Sequence, residues 1–511
     1  MSLEEEFERR VAAIHGLHKQ NSGDDLRRKD RVDIRRAEFH AMADTYLGKH
    51  FDQSILEKVE GLQTNLHKKQ AKLYESYQAK KLNPEDYVGL FNALLNETFQ
   101  KCEEILGQDD FLKLFGAPRS ELAGFIDKET FLQAEQNPRP VGMPLPPKLN
   151  PPSRLLLGPG PSPVHTRVLQ ALSLPVVGHL DPKFLEIMDQ SMAMLREVFQ
   201  TANRVALPMS GTGSAGMETC FVNLIEPGDA VLIGVNGVFG TRMVDVAQRC
   251  GAQVDAVEAE WGTALEPAQI NKALAKKSYK LVALVHAETS TGVLQPLDDI
   301  SHLVREHGAL LLVDAVTSLG GAPVRVDALG IDACYSGTQK CLSCPPGLAP
   351  VTFSERAIAV VRNRKTKVQS WYLDLSMIEK YWGSERVYHH TAPISMNYAL
   401  HEALRVLLEE GLETAWQRHR RVHDHFIREM RRLEIEPAVA EAVRAPMINA
   451  IKIPDGADDA KVRQRLYDDF NIEIGAGLGP LKGKIWRVGL MGHGAREENV
   501  ELLAKALKQL I

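Results

Sequence analysis

Apolar residues recur with two different periods along the chain, and the period changes near residue 150. Up to about residue 135 they return every three or four positions, without strand-like alternation. One series has the near-heptad spacing by which a long helix packs on a partner: Ile55, Leu56, Val59, Leu62, Leu66, Leu73 and Tyr77. Asn83 and Pro84 mark the start of a further helix, and Gly107 marks its end. Residues 1–136 are therefore predicted to form an all-α module.

Beyond residue 152, short apolar runs such as RVALPMS, AVLIGV, LVALVHA and ALLLVDAV are separated by helical spacing. This alternation predicts an α/β fold with a mostly parallel sheet. Residues 137–152, NPRPVGMPLPPKLNPP, are too rich in proline for a helix or central strand and are predicted to be a linker. We expect a large domain over 153–400. A long helix from about Tyr398 to Arg432 should then lead into a small α/β domain within 401–511.

Two residues of opposite charge stand where predicted strands end. Asp314 closes a buried run, and Lys340 follows the small-residue turn Ser336-Gly337-Thr338. Ligand sites of open α/β sheets gather at the carboxyl ends of strands. A buried lysine loses its proton readily, and an aspartate keeps a pyridine nitrogen protonated. The pair therefore indicates pyridoxal phosphate (PLP). Taken singly, the residues could instead be a helix-capping aspartate and a solvated lysine.

Four longer motifs carry a family resemblance: SGTQK, RKTKVQSWYLD, YHHTAP and IEIGAGLGPLKGKIWRVGLMG. They resemble the alanine-glyoxylate aminotransferase group of class V, fold-type I PLP enzymes. The resemblance extends from about Arg154 to the C-terminus and leaves the first 150 or so residues uncovered. It implies a seven-stranded, mostly parallel sheet in the large domain and a small C-terminal α/β domain. It also implies that Lys340 and Asp314 are catalytic.

Small residues from Ser210 to Ser214 open a predicted helix, where converging N–H groups can bind a phosphate. A tight turn before a helix is the simpler alternative. The resemblance assigns the cofactor phosphate to this loop and to the residue before the catalytic lysine. The implied phosphate ligands are Thr212, Gly213, Ser214 and Gln339.

Further roles follow from the resemblance. Phe239 stands where most members have tryptophan and would stack on the pyridine ring, although it could be a core residue. Thr289 replaces a common serine and would bond the ring oxygen. Arg487 would bind the substrate carboxylate, unless it is a surface arginine. Gly158 would line the substrate entrance, unless its loop is merely a turn after the linker.

Tyr388 and Thr391 belong to the YHHTAP motif. In the resembled family these residues reach across a subunit interface to the neighbouring cofactor phosphate. The resemblance therefore implies an obligate homodimer with shared active sites.

The expected reaction is a ping-pong transamination between alanine or serine and a small 2-oxo acid, with glyoxylate as the favoured acceptor. Kynurenine, 3-hydroxykynurenine and aminoethylphosphonate remain alternative amino donors within the same fold. An alternative of another class is a scaffold protein that binds partners through the helical module.

Composition narrows the remaining possibilities. The net charge of −5 gives no electrostatic case for nucleic acid or an anionic membrane. The absence of a signal-like segment and the six scattered cysteines predict a cytoplasmic protein. Cys341 and Cys344 form one C-x-x-C, which suggests a redox switch or half a metal site, but no second pair accompanies it. The histidines at 15, 18, 40, 50 and 67 lack metal-ligand spacing, so no metal is expected.

Overall fold

The computed structural model describes residues 39–40, 43–44, 46–48, 51–115, 118–122, 128, 131–132 and 149–511. The chain divides into two compact units, residues 1–150 and 151–511, here called the N-terminal and C-terminal units. Most of the predicted linker, and the histidines at 15, 18 and 50, lie outside the described residues. Within the described ranges, no helix is both long enough and apolar enough to cross a membrane.

The N-terminal unit is helical where it is described, as the apolar spacing predicts. Its helices are α1 (Gln53–Gln78), α2 (Pro84–Leu106), α3 (Gln108–Phe115) and α4 (Arg119–Leu122). The Asn83 side chain accepts a hydrogen bond from the Asp86 N–H, which caps α2, and Gly107 with φ +77° ends it. Of the predicted seam, Leu56, Val59 and Leu66 are fully buried in the unit's own core, and the other four residues are partly buried.

A seven-stranded sheet organises the large lobe of the C-terminal unit, in the order β2-β10-β9-β8-β5-β3-β4. The strands are β2 (Val205–Ser210), β3 (Ala230–Val235), β4 (Gln253–Glu258), β5 (Leu281–Val285), β8 (Leu310–Asp314), β9 (Ala333–Tyr335) and β10 (Leu348–Phe353). Only β10 runs antiparallel to its neighbours. Ile233 and Leu312 face one core, whereas Leu232 and Leu311 face the other. Burial on both faces explains the continuous apolar runs of these strands.

Helices cover both faces of this sheet. They are α5 (Thr166–Leu172), α6 (Pro182–Phe199), α7 (Gly213–Leu224), α8 (Val238–Arg249), α9 (Pro267–Leu274), α10 (Asp298–Glu306), α11 (Val326–Leu329), α12 (Glu355–Arg362), α13 (Leu375–Trp382) and α14 (Ile394–Glu410). A short hairpin, β6 (Ala287–Glu288) with β7 (Val293–Leu294), projects beyond β5. In this lobe Thr212 follows β2, Phe239 follows β3, Thr289 follows β6, Asp314 ends β8 and Lys340 follows β9.

The small lobe begins with α15 (Leu412–Arg432). It contains β11 (Ile448–Lys452), α16 (Asp459–Phe470), β12 (Ile472–Glu473), β13 (Gly475–Ala476), β14 (Ile485–Gly489) and α17 (Glu497–Leu507). Strands β11, β14 and β13 form an antiparallel sheet, while β12 pairs with β1 (Leu155–Leu156). This lobe has its own apolar core around Trp486 and Phe426.

Two predictions for this region are wrong. The single helix over 398–432 is two helices, because Gly411 adopts φ +85° between α14 and α15 and breaks the helical hydrogen bonding. The single strand IEIGAG is also divided. Its first part pairs with β1 and its second with β14, so the chain changes partner at Ile474.

Candidate active site

Asp314 is the last residue of β8 and is buried, with 3% of its surface exposed. Its Oδ1 accepts a hydrogen bond from the Val316 N–H at 2.8 Å. Its Oδ2 accepts one from the Tyr335 hydroxyl at 2.6 Å, since Tyr335 stands opposite it in β9. Burial raises the pKa of the Asp314 carboxyl to about 6, although both hydrogen bonds oppose the shift. The Asp314 carboxylate is thus buried and held by two donors, and its role as a site residue stays a prediction.

Lys340 is buried as well, with 7% exposed, so the alternative of a solvated lysine is wrong. Its Nζ donates a hydrogen bond to the Pro159 carbonyl. Gly160, at φ +117°, lies against the amine: a Cβ built there would come within 2.8 Å of Nζ. Burial lowers the pKa of the Lys340 amine to about 8. The lysine therefore reaches its neutral, nucleophilic form at a lower pH than a surface lysine.

The loop of glycines and prolines before α5 is hydrogen-bonded to the segment that contains Lys340. The Ser162 N–H donates to the Gln339 carbonyl at 2.9 Å, and its hydroxyl donates to the Lys340 carbonyl at 2.7 Å. Gly158 is instead buried between Glu473 and the backbone near Gly489. The loop thus approaches the lysine through Pro159 and Gly160.

The predicted phosphate loop precedes α7, as expected. Thr212 is the N-cap residue, yet its side chain makes no capping hydrogen bond and is exposed. Gly211 has φ +145°, and a Cβ there would lie 2.6 Å from the Ala215 Cβ, so glycine is required. A Cβ added at Gly213 would lie 3.5 Å from the Gly337 Cα, in the turn that leads to Lys340. The free N–H groups of the first helical turn therefore lie beside the lysine segment.

Arg487 projects from β14 and is 7% exposed. Its Nε donates to the Ala476 carbonyl at 2.7 Å, and its Nη1 donates to the Thr289 carbonyl at 3.2 Å. Its Nη2 has no hydrogen bond to any described residue, which leaves donors for a carboxylate. The alternative of a surface arginine is therefore wrong. The Thr289 hydroxyl is hydrogen-bonded to the Thr317 hydroxyl.

Glu288, on β6, is fully buried and links its own loop to the start of α8. Its Oε1 accepts from the Ser290 N–H and hydroxyl. Its Oε2 accepts from the Phe239 and Gly240 N–H groups at 3.2 and 3.4 Å, at the start of α8. Burial raises the pKa of the Glu288 carboxyl, and these hydrogen bonds oppose the shift. Sequence reasoning put Glu288 in a polar loop without a role, because its partners at the start of α8 are about 50 residues away.

Phe239 occupies the first turn of α8, where it is half-buried against the large-lobe core. The Arg242 guanidinium lies 5.0 Å from its ring centroid. Stacking of Phe239 on the cofactor ring stays a prediction, as does the alternative of a core role.

Tyr388 and Thr391 are exposed, Tyr388 by 57%. Between them, His390 turns inward, and its Nε2 lies 2.7 Å from the Ser210 hydroxyl at the start of the phosphate loop. This contact joins residues 180 positions apart and carried no signal in the sequence. Burial lowers the pKa of the His390 imidazole to about 4, so the ring is neutral in this contact at ordinary pH.

Four charged groups thus lie close enough to influence one another: Lys340, Asp314, Glu288 and Arg487. The family model "Aminotransferase class-V" matches residues 159–498. The chain belongs to this family. It is a PLP-dependent aminotransferase that acts on amino acids and 2-oxo acids.

The regions matched in individual relatives span most of the length of each relative. The (S)-ureidoglycine–glyoxylate transaminase of Bacillus subtilis is 42% identical over 70% of this chain and 91% of its own. The alanine–glyoxylate aminotransferase of Rattus norvegicus is 42% identical over 70% and 88%. The crystal structure of an alanine–glyoxylate aminotransferase from Nostoc sp. has TM-score 0.71 and 50% identity, covering 72% of this chain and 97% of that one. Residues 1–158 lie outside the matched family region.

The residues of the aminotransferase fit PLP. The buried amide oxygen of Gln339 has no hydrogen-bond partner among the described residues, so this side chain keeps unused hydrogen-bonding capacity, and its NH2 group can donate to a phosphate. The loop before α7 offers unused N–H groups and the Thr212 hydroxyl to a phosphate. Asp314 and Lys340 have the charge and burial that a pyridine nitrogen and an aldehyde require.

The C-x-x-C pair has no visible redox or metal role. Cys341 and Cys344 are both buried and belong to different apolar clusters. Burial raises the pKa of each thiol to about 12, which disfavours the reactive thiolate. Among the described residues there is no cluster of three or more side chains able to hold a metal ion.

Proposed function

We propose that this aminotransferase transfers the amino group of alanine to glyoxylate in two half-reactions. The observation that carries the proposal is Arg487, a buried guanidinium that keeps free donors within electrostatic reach of Lys340. A single bidentate clamp suits α-amino acids and 2-oxo acids with small side chains. The names of the similar enzymes share glyoxylate as a substrate and differ in the amino donor.

PLP, when bound, supplies an electron sink and carries the amino group between the two substrates. Lys340 would hold the cofactor through its amine and, when free, would move the proton at the substrate Cα; its pKa of about 8 suits both tasks. Asp314 would keep the ring nitrogen of the cofactor protonated, while the Tyr335 hydroxyl keeps the Asp314 carboxylate oriented. Arg487 orients the substrate carboxylate. Glu288 fixes the start of α8, on which Phe239 lies.

The phosphate of the cofactor would be bound by Thr212, Gly213, Ser214 and Gln339. Thr289 would bond the ring oxygen, and Gly158 would lie in the entrance loop. Tyr388 and Thr391 would complete the site of a partner subunit, which makes the protein a homodimer. Their exposure supports this assignment, because neither side chain is buried against Lys340 of its own subunit. We also infer a cytoplasmic location, which the six unpaired cysteines support.

The test is the visible absorbance of the lysine-bound cofactor in purified protein. Alanine alone should deplete this band, and glyoxylate should then restore it. The same titration with (S)-ureidoglycine tests the second donor, which the Bacillus subtilis relative suggests. Depletion by ureidoglycine but not alanine would reassign the donor. Depletion by alanine without recovery on glyoxylate would contradict the proposed acceptor.

A further inference from the structure

Two buried hydroxyl groups meet within the candidate active site. Thr289 lies in the turn after β6 and Thr317 in the loop after β8, and only 3% and 1% of their surfaces are exposed. Their hydroxyls are hydrogen-bonded to each other, although the two residues are 28 positions apart in the chain. Among the described residues, neither hydroxyl has a second partner. Because each hydroxyl carries one proton, one of the two protons is left without an acceptor.

The backbone on each side of this hydrogen bond is held by other site residues. The Thr289 carbonyl accepts a hydrogen bond from Arg487 Nη1 at 3.2 Å. The Thr317 carbonyl accepts one from Cys341 Sγ at 3.3 Å, and Cys341 directly follows Lys340 in the chain. The hydroxyl pair therefore connects the turn that Arg487 contacts with the segment that contains Lys340.

The direction of this hydrogen bond follows from the available protons and acceptors. If Thr289 donated, the Thr317 proton would be buried without an acceptor among the described residues, an arrangement that folded proteins avoid. If Thr317 donates, the remaining proton belongs to Thr289, which would bond the ring oxygen of the cofactor. Only this second arrangement gives both protons an acceptor when the cofactor is bound.

We propose that Thr317 is a positioning residue, which donates to the Thr289 hydroxyl and thereby directs the Thr289 proton toward the ring oxygen. This inference rests on the proposed function, because it takes from it the role of Thr289. Hydrogen bonds that form a chain strengthen one another, so the Thr317 donor reinforces the Thr289 donor. Thr317 thus acts on the cofactor through Thr289.

The expected consequence is a change in how readily Lys340 Nζ releases its proton while it holds the cofactor. Negative charge on the ring oxygen stabilises a proton on this nitrogen, because opposite charges nearby favour the charged form. A hydrogen bond donated to the ring oxygen draws off part of that charge. Thr289, reinforced by Thr317, should therefore lower the pH at which Lys340 Nζ becomes neutral.

The experiment is a pH titration of the visible absorbance of the PLP-loaded enzyme, whose midpoint reports the protonation of Lys340 Nζ. Valine keeps the branched shape of threonine and removes the hydroxyl. Thr289→Val should raise the midpoint by about one pH unit, as for a lost hydrogen bond to a charged group. Thr317→Val should raise it by about 0.3 unit, since neighbouring hydrogen bonds reinforce one another by about 10–30%. The double variant should shift no further than Thr289→Val.

Two control variants separate this role from a general effect on the structure. Thr317→Ser restores the hydroxyl and should return the midpoint to the parental value. Thr352→Val is the matched control, because Thr352 is fully buried on β10 and its hydroxyl accepts from the Asn203 side chain instead. It should leave the midpoint unchanged, and a shift equal to that of Thr317→Val would contradict the proposal.

The outcomes also distinguish this inference from the proposed function. If the parent enzyme shows no visible band with PLP, or if Thr289→Val leaves the midpoint unchanged, the proposed site fails and this inference fails with it. A shift in Thr289→Val without one in Thr317→Val overturns the inference alone. A lowered midpoint in Thr317→Val overturns it too, because Thr317 would then accept the Thr289 proton and compete with the ring oxygen.

Discussion

The burial that lowers the pKa of Lys340 to about 8 sets the pH at which its amine becomes a nucleophile. Only the neutral amine attacks an aldehyde, and its fraction rises with pH until the pKa is passed. We predict that the rate of covalent PLP attachment to the apoenzyme increases with pH, with a midpoint near 8, and then levels off. Stopped-flow absorbance measures this rate. Lys340→Arg should show no attachment, and a midpoint near 10.5 would contradict the burial argument.

Tyr335 donates one of the two hydrogen bonds that keep Asp314 charged. Its loss in Tyr335→Phe should raise the Asp314 pKa further, since a donor favours the ionised form. The acid limb of the kcat profile should move to higher pH, and kcat should fall about tenfold, as for a lost hydrogen bond to a charged group. Tyr381→Phe is the matched control, because this buried hydroxyl donates to the His179 carbonyl instead. Equal effects in both variants would make the Tyr335 role merely structural.

At the scale of elements, the segment 388–391 and the phosphate loop meet through His390 and Ser210. Removing one neutral hydrogen bond costs about 0.5–1.5 kcal/mol, so His390→Ala should weaken PLP affinity about three- to tenfold. Ser210→Ala should have a similar effect, and the double variant should be no worse than either single one. Equilibrium PLP binding measures all three. Additive losses would show that the two side chains act independently.

The break between α14 and α15 depends on Gly411, whose φ of +85° is unfavourable for other residues. Gly411→Ala should therefore lower the free energy of unfolding of the C-terminal unit by about 1 kcal/mol or more. Gly61→Ala provides the contrast, because Gly61 lies inside α1 and an added Cβ meets no atom within 4 Å. This change should stabilise the N-terminal unit by about 0.5–1 kcal/mol. Chemical denaturation, followed with a separate probe for each unit, measures whether the free energy of unfolding falls in the C-terminal unit and rises in the N-terminal unit.

Sequence reasoning succeeded where the information is local. A strand buried on both faces must be apolar throughout, so β8 and its terminal Asp314 were predictable. Gly411 within a helical pattern fits a break or a tolerated interior glycine, and only its backbone angle decides. The division of IEIGAG depends on which strands pair with it, a property of distant segments. Glu288 and His390 likewise escaped assignment because their roles depend on contacts that folding creates.

At the scale of the whole molecule, the C-terminal unit contains every candidate site residue and five apolar clusters of its own. The N-terminal unit has a separate core. A chain of residues 151–511 should therefore retain the PLP absorbance and turn over alanine and glyoxylate within about twofold of the full chain, as expected of an autonomous domain. Loss of solubility or of the dimer in this shortened chain would instead assign the helices a structural role.

Whether the active site is shared between subunits is also a question about the whole molecule. As pure proteins, the Tyr388→Ala and Lys340→Ala variants should each have strongly lowered activity. Tyr388→Ala damages the phosphate site of the partner subunit, whereas Lys340→Ala damages the site of its own subunit. If Tyr388 acts across the interface, a mixed dimer of these variants contains one site with both residues intact. Subunits unfolded and refolded as an equal mixture should therefore recover about a quarter of the parental activity, since half the dimers are mixed and each has one working site.

Two features make this measurement decisive. If Tyr388 served its own subunit's lysine, every site in the mixture would lack one of the two residues, and mixing would restore nothing. Refolding Lys340→Ala with itself controls for activity gained by the procedure alone. The exposure of Tyr388 in the single subunit, 57% of its surface, agrees with a side chain that finds its partner only on assembly. Size-exclusion chromatography of the refolded mixture must show dimers, so that absent recovery reports on the position of Tyr388 and not on failed association.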